Sequence, residues 1–502
     1  MKNKRAIILA AGYGIRLEAI TMHKPKCMVR VCGKPILEYQ LDAYDKLDLD
    51  EIIIVTGYKS EVIENYIKHR NQENIRIINN TNYHSSNNMY SLWLCREELK
   101  KSNQTFISNA DVLFDTSILK RLSDKLGSYI ICQKDAFNDE SMKVSTLDDG
   151  RICNISKTIL EENSFGCSID VYSFSNQVSN KLVNEMSNII EKEKDLNQWT
   201  EVAIQKLVQS NSVEINPFCL KKEERWFEID TMPDLINAEK VFSPLSKKLI
   251  NKKGFIFDLD GTIYIGEKAI DGAKSLLDKL KVKECITKFL SNNSSKNKIE
   301  YSEKLYNQGI TAKIEDIVLS TDVAIKQIKS MGYTKGYIVG TESMKKTLKN
   351  SELFHDYQKP EFVLIGYDTE LDYEKLSRAS LLINSGLPYF ATHSDNFCPT
   401  PLGPIPDAGS IIELFKTTTN QTPIVFGKPK RTMIEYIIKD KNNIKNFVFI
   451  GDRLRTDFDM CKKINLDFIC VLSGETKRED LENELIWPSL IVRSVNDLTN
   501  LI

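Results

Sequence analysis

Twice in this chain a short, unbroken apolar run ends directly in a glycine turn: AIIL at 6–9 before AAGYG, and GFIF at 254–257 before DLDG. Runs this short, with no polar alternation, suit strands buried on both faces of a parallel sheet. Each reads as the first strand of its own α/β unit. Further runs at Ile52–Val55, Ile75–Ile78 and Phe106–Ile107 alternate with helix-spaced segments at Ile36–Lys46 and Glu61–His69, giving β-α-β units. Beyond 254 the strand candidates are Phe255–Leu259, Thr287–Leu290, Gly336–Val339, Phe362–Gly366, Tyr389–Ala391, Ile424–Phe426, Phe447–Ile450 and Phe468–Leu472. The stretch Phe242–Lys253 (FSPLSKKLINKK) carries a proline, a lysine cluster and no strand signal.

At roughly 150 residues per domain, 502 residues suggest about three domains. The expected division is 1–243, a linker at 244–252, a core from 253–331 and 423–502, and an α/β insertion at 332–422. With 68 Lys plus Arg against 69 Asp plus Glu, the net charge of −1 excludes a basic nucleic-acid footprint. The 11 cysteines are scattered singly with no C-x-x-C pair, which argues for a reducing compartment over a disulfide framework or zinc ribbon. No apolar run approaches the roughly 20 residues of a membrane span. The opening MKNKRAIILAAGYG stops at glycines too early for a signal peptide, so a cytoplasmic protein is expected.

After AIIL come Leu9, Ala11, Gly12, Gly14 and Arg16, then Lys24-Pro25-Lys26. Glycines after a buried strand let backbone N–H groups approach an anion, and Arg and Lys then neutralise a triphosphate. The spacing is neither the dinucleotide fingerprint nor a Walker loop. The whole string LAAGYGIRL followed by KPK is far more specific than its two glycines. With VTGYKSE at 55–61, NNMYSLW at 87–93, SNADVLF at 108–114, ISK at 155–157 and FEID at 227–230, residues 1 to 243 resemble the sugar-nucleotidyltransferase superfamily, in its phosphocholine cytidylyltransferase-like branch.

That resemblance implies a Rossmann-like domain transferring a nucleoside monophosphate from CTP to a small alcohol phosphate, a polyol or amino-alcohol ester, with release of pyrophosphate. It assigns Asp111 and Asp230 to Mg²⁺ and Lys26, with Arg16, to the triphosphate; Gly57, Tyr58, Asn88 and Ser91 frame base and ribose. Lys157 is expected on the acceptor phosphate. Tyr83, Tyr90, Trp93, Trp199 and Trp226 are candidates to wall the acceptor pocket, with Glu201 supplying negative charge.

In the second half, Asp258-Leu259-Asp260-Gly261-Thr262 sets two carboxylates two residues apart at a strand end, one to attack phosphorus and one to move a proton. Ser291-Asn292-Asn293-Ser294-Ser295, Gly427-Lys428-Pro429 and Gly451-Asp452-Arg453-Leu454-Arg455-Thr456-Asp457 follow in order. Together they resemble the haloacid dehalogenase superfamily, in the subfamily of nucleotide, nitrophenyl phosphate and phosphoglycolate phosphatases, whose α/β cap matches 332–422. The family's ATNPD reads ATHSD at 391–395. The resemblance implies a second Rossmann-like core and a Mg²⁺-dependent phosphatase of a small phosphate ester. Asp258 is then the nucleophile, Asp260 the acid and base, and Ser291 and Lys428 the phosphoryl ligands. Asn292 and Asn293 lie on the substrate, Asp258, Asp260 and Asp452 on the metal, with Asp457 in support.

The expectation is a bifunctional enzyme making a CDP-alcohol for surface polysaccharide decoration. The alternative is a sugar-1-phosphate nucleotidyltransferase fused to a sugar-phosphate phosphatase, and a homo-oligomer is left open. Intact acids and lysines argue against a nucleotide-sensing module without turnover.

Overall fold

The computed structural model describes residues 3–137, 139–400 and 402–502, which form two compact units divided between Phe242 and Ser243. In the first, Lys4–Ala10 is central, paired in parallel with Glu51–Thr56 on one side and Gln104–Asn109 on the other. Its apolar run is buried on both faces: Ala6 and Ile8 pack with Ile54 and Phe106, Ile7 and Leu9 with Ile53 and Ile107. Ile75–Asn79 departs from the expected full burial because it is the sheet's edge strand.

The other half of this nine-stranded sheet is largely antiparallel and was not foreseen. Gly166–Ser175 pairs with Gln104–Asn109 and with Tyr129–Lys134. It carries Ser168, Asp170 and Ser173, so it lacks a uniform apolar signature. Its register shifts between Ser168 and Tyr172, where Asp170 has φ +55°, a bulge that re-aims a side chain.

The 244–252 stretch, expected as a linker, is helical: Pro244–Lys248, then a 3₁₀ turn at Leu249–Asn251. The Ser243 hydroxyl caps it by accepting from the Leu245 N–H at 3.1 Å. Leu245 and Leu249, one turn apart, sink into the core of the second unit, while Lys247 and Lys248 face solvent.

The second unit holds two all-parallel sheets. Six strands form the core, in the order Ile317–Leu319, Ile286–Ser291, Gly254–Phe257, Phe447–Gly451, Asp467–Val471 and Leu490–Val492. The first and last have only three residues each, too short to stand out in the sequence. Five strands form the inserted sheet, from Phe354–His355 to Ile424–Val425, so its last strand lies beyond the expected limit at 422. Among the described residues no helix is long and apolar enough to cross a membrane.

Insertion and core meet through polar contacts from the loop after Ile286–Ser291. The Ser294 hydroxyl accepts from the Tyr367 N–H at 2.8 Å and from Thr392 Oγ1 at 3.1 Å. Beside it His393 is fully buried, with Nδ1 2.9 Å from Thr392 Oγ1 and Nε2 2.9 Å from Asp407 Oδ1. Burial opposes its charge, but the Asp407 hydrogen bond and carboxylate outweigh it, helped by Asp395 and opposed by Arg453, and raise the imidazole above 6.5. A raised folded value means this pair stabilises fully below the unfolded pKa of about 6.5 and is lost as pH rises through the folded value. His393→Asn is therefore expected to cost about 1.5–3 kcal/mol at pH 6, the worth of a charged hydrogen bond. Urea unfolding of both proteins from pH 6 to pH 9 should show the difference shrinking; a pH-independent difference contradicts the charged pair.

Candidate functional site

In a parallel sheet, register decides which loops converge. Leu9 pairs with Val55 and with Asn109, so the loops that follow leave one edge together, as ligand-binding loops of α/β sheets do. There a cleft of about 450 Å³ is lined by Leu9, Ala11, Gly12, Gly14, Arg16, Lys26, Asn88, Ser91, Asp111, Lys157, Trp199, Glu201 and Asp230 among others. Gly14 has φ +65°, and a Cβ there would lie 2.8 Å from the Lys26 Cβ, so this glycine makes room for the lysine stem.

Trp226–Glu228 pairs antiparallel with Val112–Phe114, bringing Asp230 to Asp111. Lys26 Nζ bridges them, at 2.8 Å from Asp111 Oδ2 and 2.6 Å from Asp230 Oδ1, and Arg16 reaches Asp230 at 3.4 Å. Burial works against the charge on Lys26, yet the two carboxylates raise its ammonium above the ordinary value. Burial likewise opposes the Asp230 charge, and Lys26 nevertheless holds that carboxyl below the usual range. Asp111, Glu228 and Asp230 bring oxygens within 4.8 Å of one another. Asp111 Oδ1 is buried without a protein partner. Three hard oxygen donors with one unspent fit a divalent cation.

Glu228 was overlooked in the sequence, although two residues before Asp230 on an extended segment is the same face. Burial, with Asp111 and Asp230 beside it, pushes its carboxyl up to about 7. Asp170 was also missed; its signal is an acid inside a buried strand. Its carboxylate accepts from Asn109 Nδ2 at 3.1 Å and from the Tyr172 hydroxyl at 3.2 Å. Tyr172 also bonds Glu201 Oε1, leaving buried Glu201 Oε2 without a partner. Burial raises both carboxyls, Asp170 further through the charges of Glu201 and Glu228. Lys157 Nζ lies 5.0 Å from the centre of the Trp199 ring.

Gly57 and Tyr58 are not among the residues lining this cleft. The Tyr58 N–H donates to Ala11 O at 3.2 Å, its hydroxyl to Met22 O at 2.8 Å, and its ring stacks on Tyr13 at 4.0 Å. They brace the glycine loop from behind. Of the aromatic candidates, Tyr83 and Trp199 line the cleft, while Trp93 donates to Ser187 and Trp226 to Gln133. Tyr90 stacks on Trp93. Asn88 lines the wall but accepts from the Thr200 N–H at 2.8 Å, and the Ser91 hydroxyl accepts from Asn80.

In the second unit Phe257 pairs with Phe289 and Ile450, so Asp258, Ser291 and Asp452 also gather at one sheet edge. Buried Lys428 donates to Asp258 Oδ1 and lies 2.7 Å from Asp457 Oδ1. Asp258, Asp452 and Asp457 bring oxygens within 4.8 Å of one another. Asp452 Oδ1 is buried without a partner, and a Cβ on Gly474 or Gly261 would strike its Oδ2 at 1.9 or 2.4 Å. Burial, then Asp258 and Asp457, push the Asp452 carboxyl well above the ordinary range. Crowded acids in a glycine cradle again fit a divalent cation. Asp260 stands outside that trio, its carboxylate accepting from the Tyr264 hydroxyl at 3.3 Å.

The Asn292 side chain and the side-chain oxygen of Asn293, residues expected on the substrate, are bonded within the protein. Asn292 accepts from the Lys428 N–H at 2.7 Å and donates to Asp395 at 3.0 Å, and Asn293 accepts from the Ser295 N–H at 2.9 Å. Arg453 reaches the other Asp395 oxygen at 3.2 Å. The carboxylate of ATHSD thus ties the insertion to the core.

Three family models match the chain: nucleotidyl transferase over residues 5–242, haloacid dehalogenase-like hydrolase over 255–353, and HAD-hydrolase-like over 425–498. The second half is similar to acid sugar phosphatases. That of Staphylococcus saprophyticus is 29% identical over 255 residues, 49% of this chain and 97% of the relative. That of Staphylococcus aureus is 30% identical over 251 residues, 49% and 96%. A 4-nitrophenylphosphatase structure from Thermotoga maritima shares 33% identity, covering 50% of this chain and 98% of its own, with a TM-score of 0.48. The chain joins a nucleotidyl transferase domain to a phosphatase of the haloacid dehalogenase-like hydrolase family.

Proposed function

We propose that the first unit is a CTP-dependent cytidylyltransferase that activates a small alcohol phosphate to a CDP-alcohol, and that the second is a Mg²⁺-dependent phosphatase of a small phosphate ester. The observation that carries the first reading is the single cleft lined by Lys26, Asp111 and Asp230 together with Lys157, Trp199 and Glu201, whose Oε2 is unpartnered. An oxygen of the acceptor phosphate attacks the α-phosphorus of CTP, and the bond to the bridging oxygen breaks to release pyrophosphate. No side-chain nucleophile is needed; Lys26 and Arg16 neutralise the triphosphate and Lys157 orients the acceptor phosphate. Asp111, Glu228 and Asp230 would hold Mg²⁺, which supplies charge neutralisation at the α-phosphate. The buried, unpartnered Glu201 Oε2 supports an acceptor with an ammonium group, whose charge would offset the burial that raises this carboxyl. The branch resemblance supports CTP.

In the second unit Asp258 attacks phosphorus while Asp260 protonates the departing alcohol oxygen. Asp260 then takes a proton from water, which attacks the phosphorus of the aspartyl-phosphate, releases phosphate and frees Asp258. Lys428 and Ser291 bind the phosphoryl oxygens; Asp258 and Asp452 would hold Mg²⁺. The product fits decoration of a surface polysaccharide, in a cytoplasmic step. A second reading, a sugar-1-phosphate nucleotidyltransferase with a sugar-phosphate phosphatase, is favoured by the acid sugar phosphatase relatives.

Asp111→Asn is expected to lower pyrophosphate release by at least about 10²-fold and leave 4-nitrophenyl phosphate hydrolysis unchanged. Joint loss in a folded variant would mean one shared site. Across the four NTPs with a panel of amino-alcohol, polyol and sugar phosphates, CTP with an amino-alcohol phosphate should be fastest, at least about tenfold over UTP. Uracil presents an acceptor where cytosine presents a donor, leaving buried groups unpaired. Equal turnover with UTP and a sugar 1-phosphate promotes the second reading. Rapid quench with labelled substrate should place acid-labile phosphate on Asp258 and none on Asp258→Asn; a label elsewhere removes the nucleophile assignment.

A further inference from the structure

The phosphatase acid has a task that a carboxylate at its place in the chain does not perform unaided. Asp258, Asp452 and Asp457 already crowd together, and Asp260 follows the nucleophile by only two residues. A fourth carboxyl swinging into that group would be lost to the leaving oxygen. It is instead turned aside, its Oδ2 accepting from the Tyr264 hydroxyl at 3.3 Å. Tyr264 is completely buried. Its backbone is fixed on both sides: its carbonyl accepts from the Gly261 N–H at 2.8 Å, its N–H donates to Leu259 O at 3.3 Å, and Tyr264–Ile265 pairs with Lys268–Ala269. Lys304 Nζ stands 4.0 Å from the ring centre and is itself paired with Glu267 at 3.5 Å. A cation over the face draws density from the ring and strengthens the phenol as a donor. The other buried phenol nearby, Tyr301, is bonded to Ser291.

We propose that Tyr264 is a positioning residue for the phosphatase: its hydroxyl holds Asp260 apart from the other three carboxylates and ready for the leaving oxygen. The inference rests on the reading of Asp260 as the acid. An O···O separation of 3.3 Å is long for this kind of bond, so the carboxyl is oriented yet free to swing to an ester oxygen.

The test is the dependence of kcat/KM on the leaving group in the full-length protein, because this constant covers transfer to Asp258 and the protonation that accompanies it. Aryl phosphates from 4-nitrophenyl to unsubstituted phenyl need increasing proton donation. Tyr264→Phe keeps the ring and its packing. Its loss is expected to grow along the series, from under about twofold for 4-nitrophenyl phosphate to about tenfold for phenyl phosphate, part of the 10²–10⁴-fold worth of a general acid. Lys304→Met, which leaves the buried phenol in place, should show the same trend at about two- to threefold and serves if Tyr264→Phe does not fold. A uniform loss across the series, or none, overturns the inference. Asp260→Asn is measured in parallel. If its loss does not grow with leaving-group basicity, the acid assignment itself falls; if it does and the Tyr264 and Lys304 variants stay flat, only the positioning role falls.

Discussion

In each half of this chain one lysine ammonium sits between carboxylates that would otherwise repel. Lys26 lies 2.8 Å from Asp111 and 2.6 Å from Asp230, and Lys428 bridges Asp258 and Asp457. Two like charges about 4 Å apart at a partly buried site cost about 4 kcal/mol, and an uncompensated buried charge costs about 3–5 kcal/mol. The acids therefore stay together at the sheet edges because a lysine is held among them. Each lysine is held by another motif in turn: Gly14 leaves space for the stem of Lys26, and the Asn292 amide fixes the backbone of Lys428. What the lysines leave unspent, Asp111 Oδ1 and Asp452 Oδ1, is the coordination a divalent cation would use.

These charges meet only because parallel strands in register end at one level. Leu9 beside Asn109, and Phe257 beside Ile450, set the acids of separate loops next to one another. The buried runs thus supply the core and, through their ends, the site. Polar groups bonded within the protein help to hold this geometry: Tyr58 on the glycine loop, Asn292 on Lys428, and Asp395 between Asn292 and Arg453.

The parallel strands and the acid-lysine centres were legible because uniform apolar runs and ordered motifs are local in sequence. The antiparallel half of the first sheet was not, since Gly166–Ser175 mixes serines and an acid into its buried face. Three-residue strands such as Ile317–Leu319 have too few positions to show a period. Glu228 could have been found from its two-residue offset to Asp230. The internal hydrogen bonds of Tyr58, Asn292 and Asn293 could not, because sequence motifs do not record which polar atoms the fold itself engages.

The two proposed chemistries make opposite demands on a phosphate ester. In the first unit its phosphate oxygen is the nucleophile; in the second its phosphorus is attacked. An ester accepted by both sites would be destroyed before it could be activated, so the sites must discriminate, and charge offers a means. In the first cleft Asp170 is bonded to Asn109 and Tyr172, and the unpartnered Glu201 oxygen is the group that the proposed cationic head group would meet. On the inserted sheet of the second unit, Asp395 is already bound to Arg453 and Asn292, and Asp407 to His393. An ammonium-bearing ester meets counter-charge in the first cleft and finds these two acids already committed in the second unit. On that proposal, the phosphatase would take a different ester from the one that the transferase consumes.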